Sequence, residues 1–298
     1  MSTSSHAEIA RTRTGNFPIG LRRSWVDWHK DLPALLAWAR EHHFGVIDLG
    51  RDGAETAPLA LKAGLRIGSV DLPEWHGMIS PDAAVRGKAV ARNAASIEAC
   101  GACGPINHFL VMLPEKPELP RSENFKYMVD SFRQLTPALE ANQAKIVIEG
   151  WPGPGALCCT PESYHAFFQE CPSNVFGINY DPSHLVRMGI DPLRFLREFI
   201  SRVHHVHGKD TEIFPEAIYQ YGTEQNATLA KAHGFGNMHW RYTIPGHGSS
   251  PWTEIFKDLA ASGYSGAVSV ELEDENFNGT TEGEKAAFIH SRNFLQGA

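Results

Sequence analysis

Lys145-Ile146-Val147-Ile148-Glu149 is a short apolar run that finishes in a carboxylate. A run of this β-branched character reads as a strand buried on both faces, as in the parallel sheets of α/β proteins. A buried carboxylate is costly unless paired or bound to a cation, so Glu149 needs a partner. Three later runs repeat the form. Phe176-Gly177-Ile178-Asn179-Tyr180-Asp181 and Ala267-Val268-Ser269-Val270-Glu271 finish in carboxylates, and Val203-His204-His205-Val206-His207-Gly208 carries an imidazole near its end. The intervals from Glu149 to Asp181, on to His207 and on to Glu271 are 32, 26 and 64 residues. Each of the first two is about one strand–helix unit, and the third is a lengthened one.

Working outward, the same pattern predicts strands at Phe17–Leu21, Val46–Leu49, Leu65–Asp71 and Asn107–Leu113, which makes eight in all. Helical patterns lie between them at Leu32–His43, Ala54–Ala63, Pro81–Cys100, Glu123–Ala141, Pro161–Glu170, Pro192–Ile200 and Trp252–Ser262. Several open on a capping residue followed by proline, as at Thr160-Pro161 and Asp191-Pro192, and several end near glycine, as at Gly64, Gly101 and Gly263. Eight alternating units in this length predict an α/β fold of the (β/α)8 TIM-barrel type, with an open α/β sheet as the alternative. The expected organisation is one domain over 1–298, with an N-terminal tail at 1–16 and a long loop at 210–251 over the C-terminal face. Such a loop is either a lid on a site or a subunit-contact insertion.

Composition narrows the function. The chain carries 27 basic and 34 acidic side chains, a net charge of −7, and 42% hydrophobic residues, as expected for a globular protein rather than a disordered one. With no basic run, nucleic acid and anionic membranes are not expected partners. No apolar run approaches the roughly 20 residues that span a bilayer, and residues 1–16 lack a signal-type apolar stretch, so the expected location is the cytoplasm. Five cysteines, odd in number and unevenly spaced, suit a reducing compartment. Cys100-Gly101-Ala102-Cys103 has no second pair and is not read as a metal or redox site.

In a closed barrel the ends of four consecutive strands share one side of one rim. Glu149, Asp181, His207 and Glu271 then form a metal site. Three carboxylates and an imidazole suit a hard or borderline divalent cation: Mn²⁺ first, Mg²⁺ or Co²⁺ as alternatives, and Zn²⁺ less so because it prefers more nitrogen and sulfur. The period of two puts His205 and His207 on one face, with His205 one layer deeper as a supporting or substrate contact. Lys209 is expected either to hold a substrate hydroxyl or to pair with Asp210. Trp151, directly after the fifth strand, is expected to wall the site and pack on a sugar face. Arg22, Arg23, Trp25, Asp71, Trp75 and His76 follow other strand ends and are candidates for the mouth.

Asn179-Tyr180-Asp181-Pro182-Ser183-His184, His205-Val206-His207-Gly208-Lys209-Asp210-Thr211 and Pro245-Gly246-His247-Gly248, followed by Gly263-Tyr264-Ser265-Gly266 and Glu271, resemble the sugar phosphate isomerase/epimerase family with the xylose isomerase-like barrel. The resemblance implies a divalent metal on Glu149, Asp181, His207 and Glu271, and a substrate contact from His184. It also implies that Glu149 and Glu271 double as catalytic acid and base. The family's ketose epimerases place a substrate-binding arginine shortly after the second histidine, but here none occurs before Arg241. Arg241 and His247 are therefore the further candidates for substrate contact.

The implied function is a metal-dependent isomerase or epimerase that abstracts the proton alpha to the carbonyl of a small keto-sugar. Chelation of the carbonyl and a neighbouring hydroxyl would stabilise the enediolate. A lyase or hydratase on a 3-keto-glycoside is the alternative, and a non-catalytic sugar-binding barrel subunit the second one. Homo-oligomerisation is left open.

Overall fold

The computed structural model describes residues 8–298. Eight strands close into a parallel barrel: β1 (Ile19–Arg22), β2 (Val46–Leu49), β3 (Arg66–Asp71), β4 (Asn107–Val111), β5 (Lys145–Glu149), β6 (Phe176–Tyr180), β7 (Val203–Gly208) and, after an intervening hairpin, β10 (Val268–Val270). The ring closes through Leu21 against Val270 and Ile19 against Val268. Every barrel strand lies within a run predicted from sequence or shifted from it by one residue, because each is a short apolar run bounded by helix caps and glycines.

Helices α1 (Leu32–Glu41), α2 (Gly53–Lys62), α3 (Ala83–Cys100), α4 (Arg121–Ala141), α5 (Pro161–Glu170), α7 (Pro192–Phe199) and α9 (Trp252–Ala261) are the seven expected ones. Thr160 opens α5 with a capping box to Ser163, and Asp191 accepts from Leu193 and Arg194 to open α7. Two unpredicted helices bear on the architecture. α6 (Pro182–Arg187) is one short turn directly behind β6, capped by Asp181. α10 (Thr281–Gly297) supplies the eighth helix and packs on β1 and β10. Its buried face includes Glu284 and Ser291, so it carries no clean apolar stripe.

The segment 210–251 is built, not loose. β8 (Asp210–Ile213) and β9 (Trp240–Thr243) form an antiparallel hairpin, with α8 (Pro215–Tyr221) in its excursion. Asp210 fastens the base by accepting from the N–H groups of Thr211, Gly246 and Ser250 and from Trp252 Nε1. Of the expected tail, residues 1–7 lie outside the described residues. Residues 8–16 are fastened to the barrel: Ala10 N–H donates to His43 O at 2.7 Å, and Thr14 N–H to Ala298 O at 3.0 Å. Among the described residues no helix is long and apolar enough to cross a membrane.

Inside the ring, Phe109, Val111 and Val147 form an apolar patch. Beside it runs a polar column built on Asp48 and His205. Gly68 makes room for that column, since a Cβ there would lie 2.1 Å from Asp48 Oδ1 and 2.9 Å from the His205 ring.

Candidate active site

Alternation along β5 places Lys145, Val147 and Glu149 on the inner face, and along β7 it does the same for His205 and His207. Asp181 and Glu271 each follow directly on the last residue of a strand, β6 and β10. Together Glu149, Asp181, His207 and Glu271 bring four donor atoms within 4.8 Å of one another. Glu149 Oε2 lies 2.6 Å from His207 Nδ1 and accepts from Asn179 Nδ2 at 2.7 Å. Glu271 Oε2 is 3.4 Å from the same imidazole nitrogen. Asp181 divides its work: Oδ1 caps α6 by accepting from Ser183 N–H at 2.8 Å, while the buried Oδ2 makes no hydrogen bond.

A buried set of three carboxylates and one imidazole fits a divalent cation in donor chemistry. Asp181 Oδ2, buried and without a hydrogen bond, is the atom such an ion would satisfy. Burial and the Glu271 charge push Glu149 up, but His207 and His184 outweigh them and hold it below its ordinary value. Burial disfavours the His207 imidazolium, yet Glu271 and Glu149 raise its pKa well above the usual histidine range; a cation ligated there would take the place of that proton.

Asp48, on β2, was not singled out from sequence. It is fully buried, its Oδ2 lies 2.9 Å from His205 Nε2 and 3.3 Å from His207 Nε2, and its Oδ1 accepts from Ser269 Oγ. A buried acid touching the far nitrogen of a ligating imidazole orients that ring. Burial would raise Asp48, but the two imidazoles bring it below the ordinary carboxylate range. Of the two roles expected for His205, its place fits the supporting one: it sits a layer beneath the rim and is engaged with Asp48.

Lys209 does not pair with Asp210. The buried Nζ lies 2.5 Å from Glu271, 3.0 Å from Glu273 and 3.3 Å from Asp181, above the Tyr242 ring. Burial opposes its charge, and Glu271 followed by Glu273 overrides that and holds it protonated. Across the mouth Arg22 donates to both oxygens of Asp71 and lies 3.0 Å from Glu271 Oε1, with its guanidinium over the Phe109 face. Glu271 is thus gripped from two sides.

His184, on α6, places Nε2 3.3 Å from Glu149 and 3.4 Å from Asp181. Its Nδ1 is 2.6 Å from the Tyr242 hydroxyl, which also accepts from Arg187 at 2.6 Å. The two carboxylates facing Nε2 favour a proton on that nitrogen, the tautomer in which Nδ1 accepts from Tyr242. Tyr242 is the hairpin's contribution, and alternation along β9 sends its neighbour the other way. Arg241 is corrected accordingly: it pairs with Glu212 at 2.8 Å and Glu275 at 3.4 Å, outside the pocket. His247 is corrected too, being an exposed residue in the turn after β9, beside Phe277. Trp151 packs on the inner apolar patch with Phe109 and Val147, as a wall residue would.

The model of the family described as xylose isomerase-like TIM barrel matches residues 34–297. YfiH of Bacillus subtilis (strain 168), an uncharacterized protein, is 40% identical over 102 residues, 33% of this chain and 31% of that one. An inosose dehydratase of Clostridium botulinum (strain Eklund 17B / Type B) is 28% identical over 153 residues, 51% of this chain and 48% of that one. The chain thus spans a third to a half of the length of these curated relatives. The structure of 3-keto-D-glucoside 4-epimerase YcjR from E. coli superposes with a TM-score of 0.67 at 13% identity, covering 94% of this chain and 98% of that one, which supports the barrel fold.

Proposed function

The chain belongs to the xylose isomerase-like TIM-barrel family, and from that premise we propose that it is a divalent-metal-dependent isomerase or epimerase of a keto-sugar, with Mn²⁺ as the cation. The observation that carries the proposal is the convergence of Glu149, Asp181, His207 and Glu271 at one rim, with donor atoms within 4.8 Å of one another. When bound, the cation supplies Lewis acidity that lowers the pKa of the proton alpha to the carbonyl.

Glu149 and Glu271 approach from different parts of the rim, with β6 and β7 between their strands. One carboxylate takes the carbon-bound proton and the other returns one, to the opposite face for epimerisation or to the adjacent carbon for isomerisation. His184 Nε2–H is placed to donate to a substrate oxygen, and Tyr242 holds its tautomer. Lys209 and Arg22 restrain Glu271 and add positive charge beside the developing oxyanion. Trp151 and Phe109 keep the inner wall dry.

Elimination is the second reading, favoured by the inosose dehydratase relatives, because the same proton abstraction expels a leaving group beta to the carbonyl. Proton NMR of candidate keto-sugars, 3-keto-glucosides included, in D₂O with added Mn²⁺ tests both. Exchange of the alpha hydrogen supports the proposal, and loss of a substituent selects the second reading. No exchange with any keto-sugar, while the cation is bound, would overturn both.

A further inference from the structure

Beside Glu271 the site opens into a cavity of about 790 Å³, which extends from Arg22, Asp71 and Glu273 out to the loop after β1. That volume is in the upper part of the ~300–1,000 Å³ range that holds drug-sized ligands, more than a lone small sugar needs. Charged side chains line it along its length, Arg23, Lys30, Arg51 and Asp52 among them, and its outer end adds the large apolar ones. The outer end includes Trp25, Val26, Leu272 and Phe235. Trp25 is 82% exposed and Phe235 44%, and the Phe235 backbone is held in the left-handed region at φ 54°. Two large bare aromatic side chains at the mouth of one cavity form an apolar surface suited to a ligand.

Most polar groups of this outer wall are already engaged, Lys30 with Asp27 at 2.6 Å among them; the exceptions are Arg51, whose guanidinium lies over the Trp75 ring, and the buried His29 Nε2, which makes no hydrogen bond. Arg23 donates to both oxygens of Asp52 at 2.9 and 2.7 Å. Ser24 N–H donates to His29 Nδ1 at 2.9 Å, and Asn278 Oδ1 accepts from Asp274 N–H at 2.8 Å. A second sugar ring would require hydrogen-bonding partners, and a phosphate would require an unpaired cation cluster. The wall offers chiefly carbon.

We infer that the substrate carries a neutral aryl substituent, with its keto-sugar ring at Glu149 and Glu271 and the aromatic group in the cavity against Trp25 and Phe235. The inference rests on the keto-sugar reading and narrows it to aryl glycosides. The test compares phenyl and methyl 3-keto-glucopyranosides by the rate of alpha-hydrogen exchange in the Mn²⁺-loaded protein. The expected result is a phenyl preference in kcat/KM of roughly tenfold or more, the scale set by burying one aromatic face. Trp25→Ala and Phe235→Ala should each reduce the phenyl value several-fold more than the methyl value. Equal use of both substrates, a preference unchanged in both variants, or a preference for a sugar phosphate would overturn the inference.

A binding measurement separates its failure from that of the catalytic reading. Phenyl β-D-glucopyranoside should show saturation-transfer signals from its ring that are weakened in Trp25→Ala, even if no keto-sugar exchanges. Absence of ring signals with the wild-type protein counts against the aryl subsite whatever the chemistry.

Discussion

His207 and His108 are both fully buried on barrel strands, yet they sit at opposite ends of the ring and their pKa values are pushed in opposite directions. His207 stands at the rim among Glu271, Glu149 and Asp48, which outweigh burial and raise its pKa. His108 lies at the start of β4 with neither nitrogen hydrogen-bonded, and burial alone pushes it down to about 4. His204 at the same end is also pushed down to about 4, by burial first and the Lys145 charge second. Depth is common to both ends, and only the rim adds carboxylates. A rim of buried charges is a poor way to stabilise a fold, since apolar groups would fill the space at no loss. Its presence at one end only marks that end as the one built for chemistry.

The largest effect should come from breaking the rim itself. Glu149→Gln is expected to lower turnover by about 10³-fold or more and to weaken cation binding. The melting temperature should fall, because His207 and His184 lose the carboxylate whose pairing outweighs the Glu271 repulsion. Exchange kinetics, calorimetric Mn²⁺ titration and scanning calorimetry read the three quantities. Full turnover would detach the rim charges from function.

Asp48→Asn probes the support beneath. Removing the countercharge of two buried imidazoles should cost about 3 kcal/mol in urea unfolding. It should also weaken Mn²⁺ affinity about tenfold or more, as loss of a group orienting a ligand does. Unchanged affinity with lowered stability would reduce Asp48 to a structural role.

Asp48 also shows where the sequence was and was not legible. The barrel could be read because each strand is a local pattern, and Glu149, Asp181, His207 and Glu271 could be read because they terminate strands in register. Asp48 sits inside Val46-Ile47-Asp48-Leu49, and the argument that a buried carboxylate needs a partner applies to it as it did to Glu149. Tyr242 was not legible, because its role depends on which face of the β8–β9 hairpin turns inward. A sequence with no visible strand partner does not say so, and Arg241 was chosen from the wrong face. Lys209 was placed near the site, but its partners Glu271 and Glu273 come from a strand end 62 and 64 residues away.

The other end gives the contrasting pH response. The unfolded chain takes up a proton at His108 near the ordinary value of about 6.5, while the native state resists until about 4. Stability is therefore lost as pH falls through that window, by about 2 kcal/mol at pH 5. His108→Leu should remove that part of the loss between pH 7.5 and pH 5 in urea unfolding. An identical pH slope in the variant would show that His108 is not held neutral.

Tyr242→Phe deletes the hydroxyl between Arg187 and His184 without touching a candidate ligand. Stability should fall by about 1 kcal/mol. Turnover should drop about tenfold with Mn²⁺ affinity unchanged, because His184 loses its orientation and not its place. A fall in cation affinity of the same size would mean that the hairpin shapes the metal site itself.

The smallest effect is expected at Lys145, on the inner face of β5 like Glu149 and two alternations below it. Its Nζ donates to His204 Nδ1 at 3.3 Å, and its pKa is lowered by burial. Lys145→Met removes a half-buried charge and one long hydrogen bond, two changes that oppose each other, so unfolding free energy should move by no more than about 0.5 kcal/mol. Turnover and Mn²⁺ affinity should be those of the wild type. The His204 ring, freed of a like charge, should titrate higher by NMR. One strand would then carry a residue whose loss abolishes activity at its rim end and a residue whose loss is barely felt at its other end. If Lys145→Met instead lowered activity or cation affinity, the charges at the two ends would be coupled through the barrel, and the division of labour between them would fail.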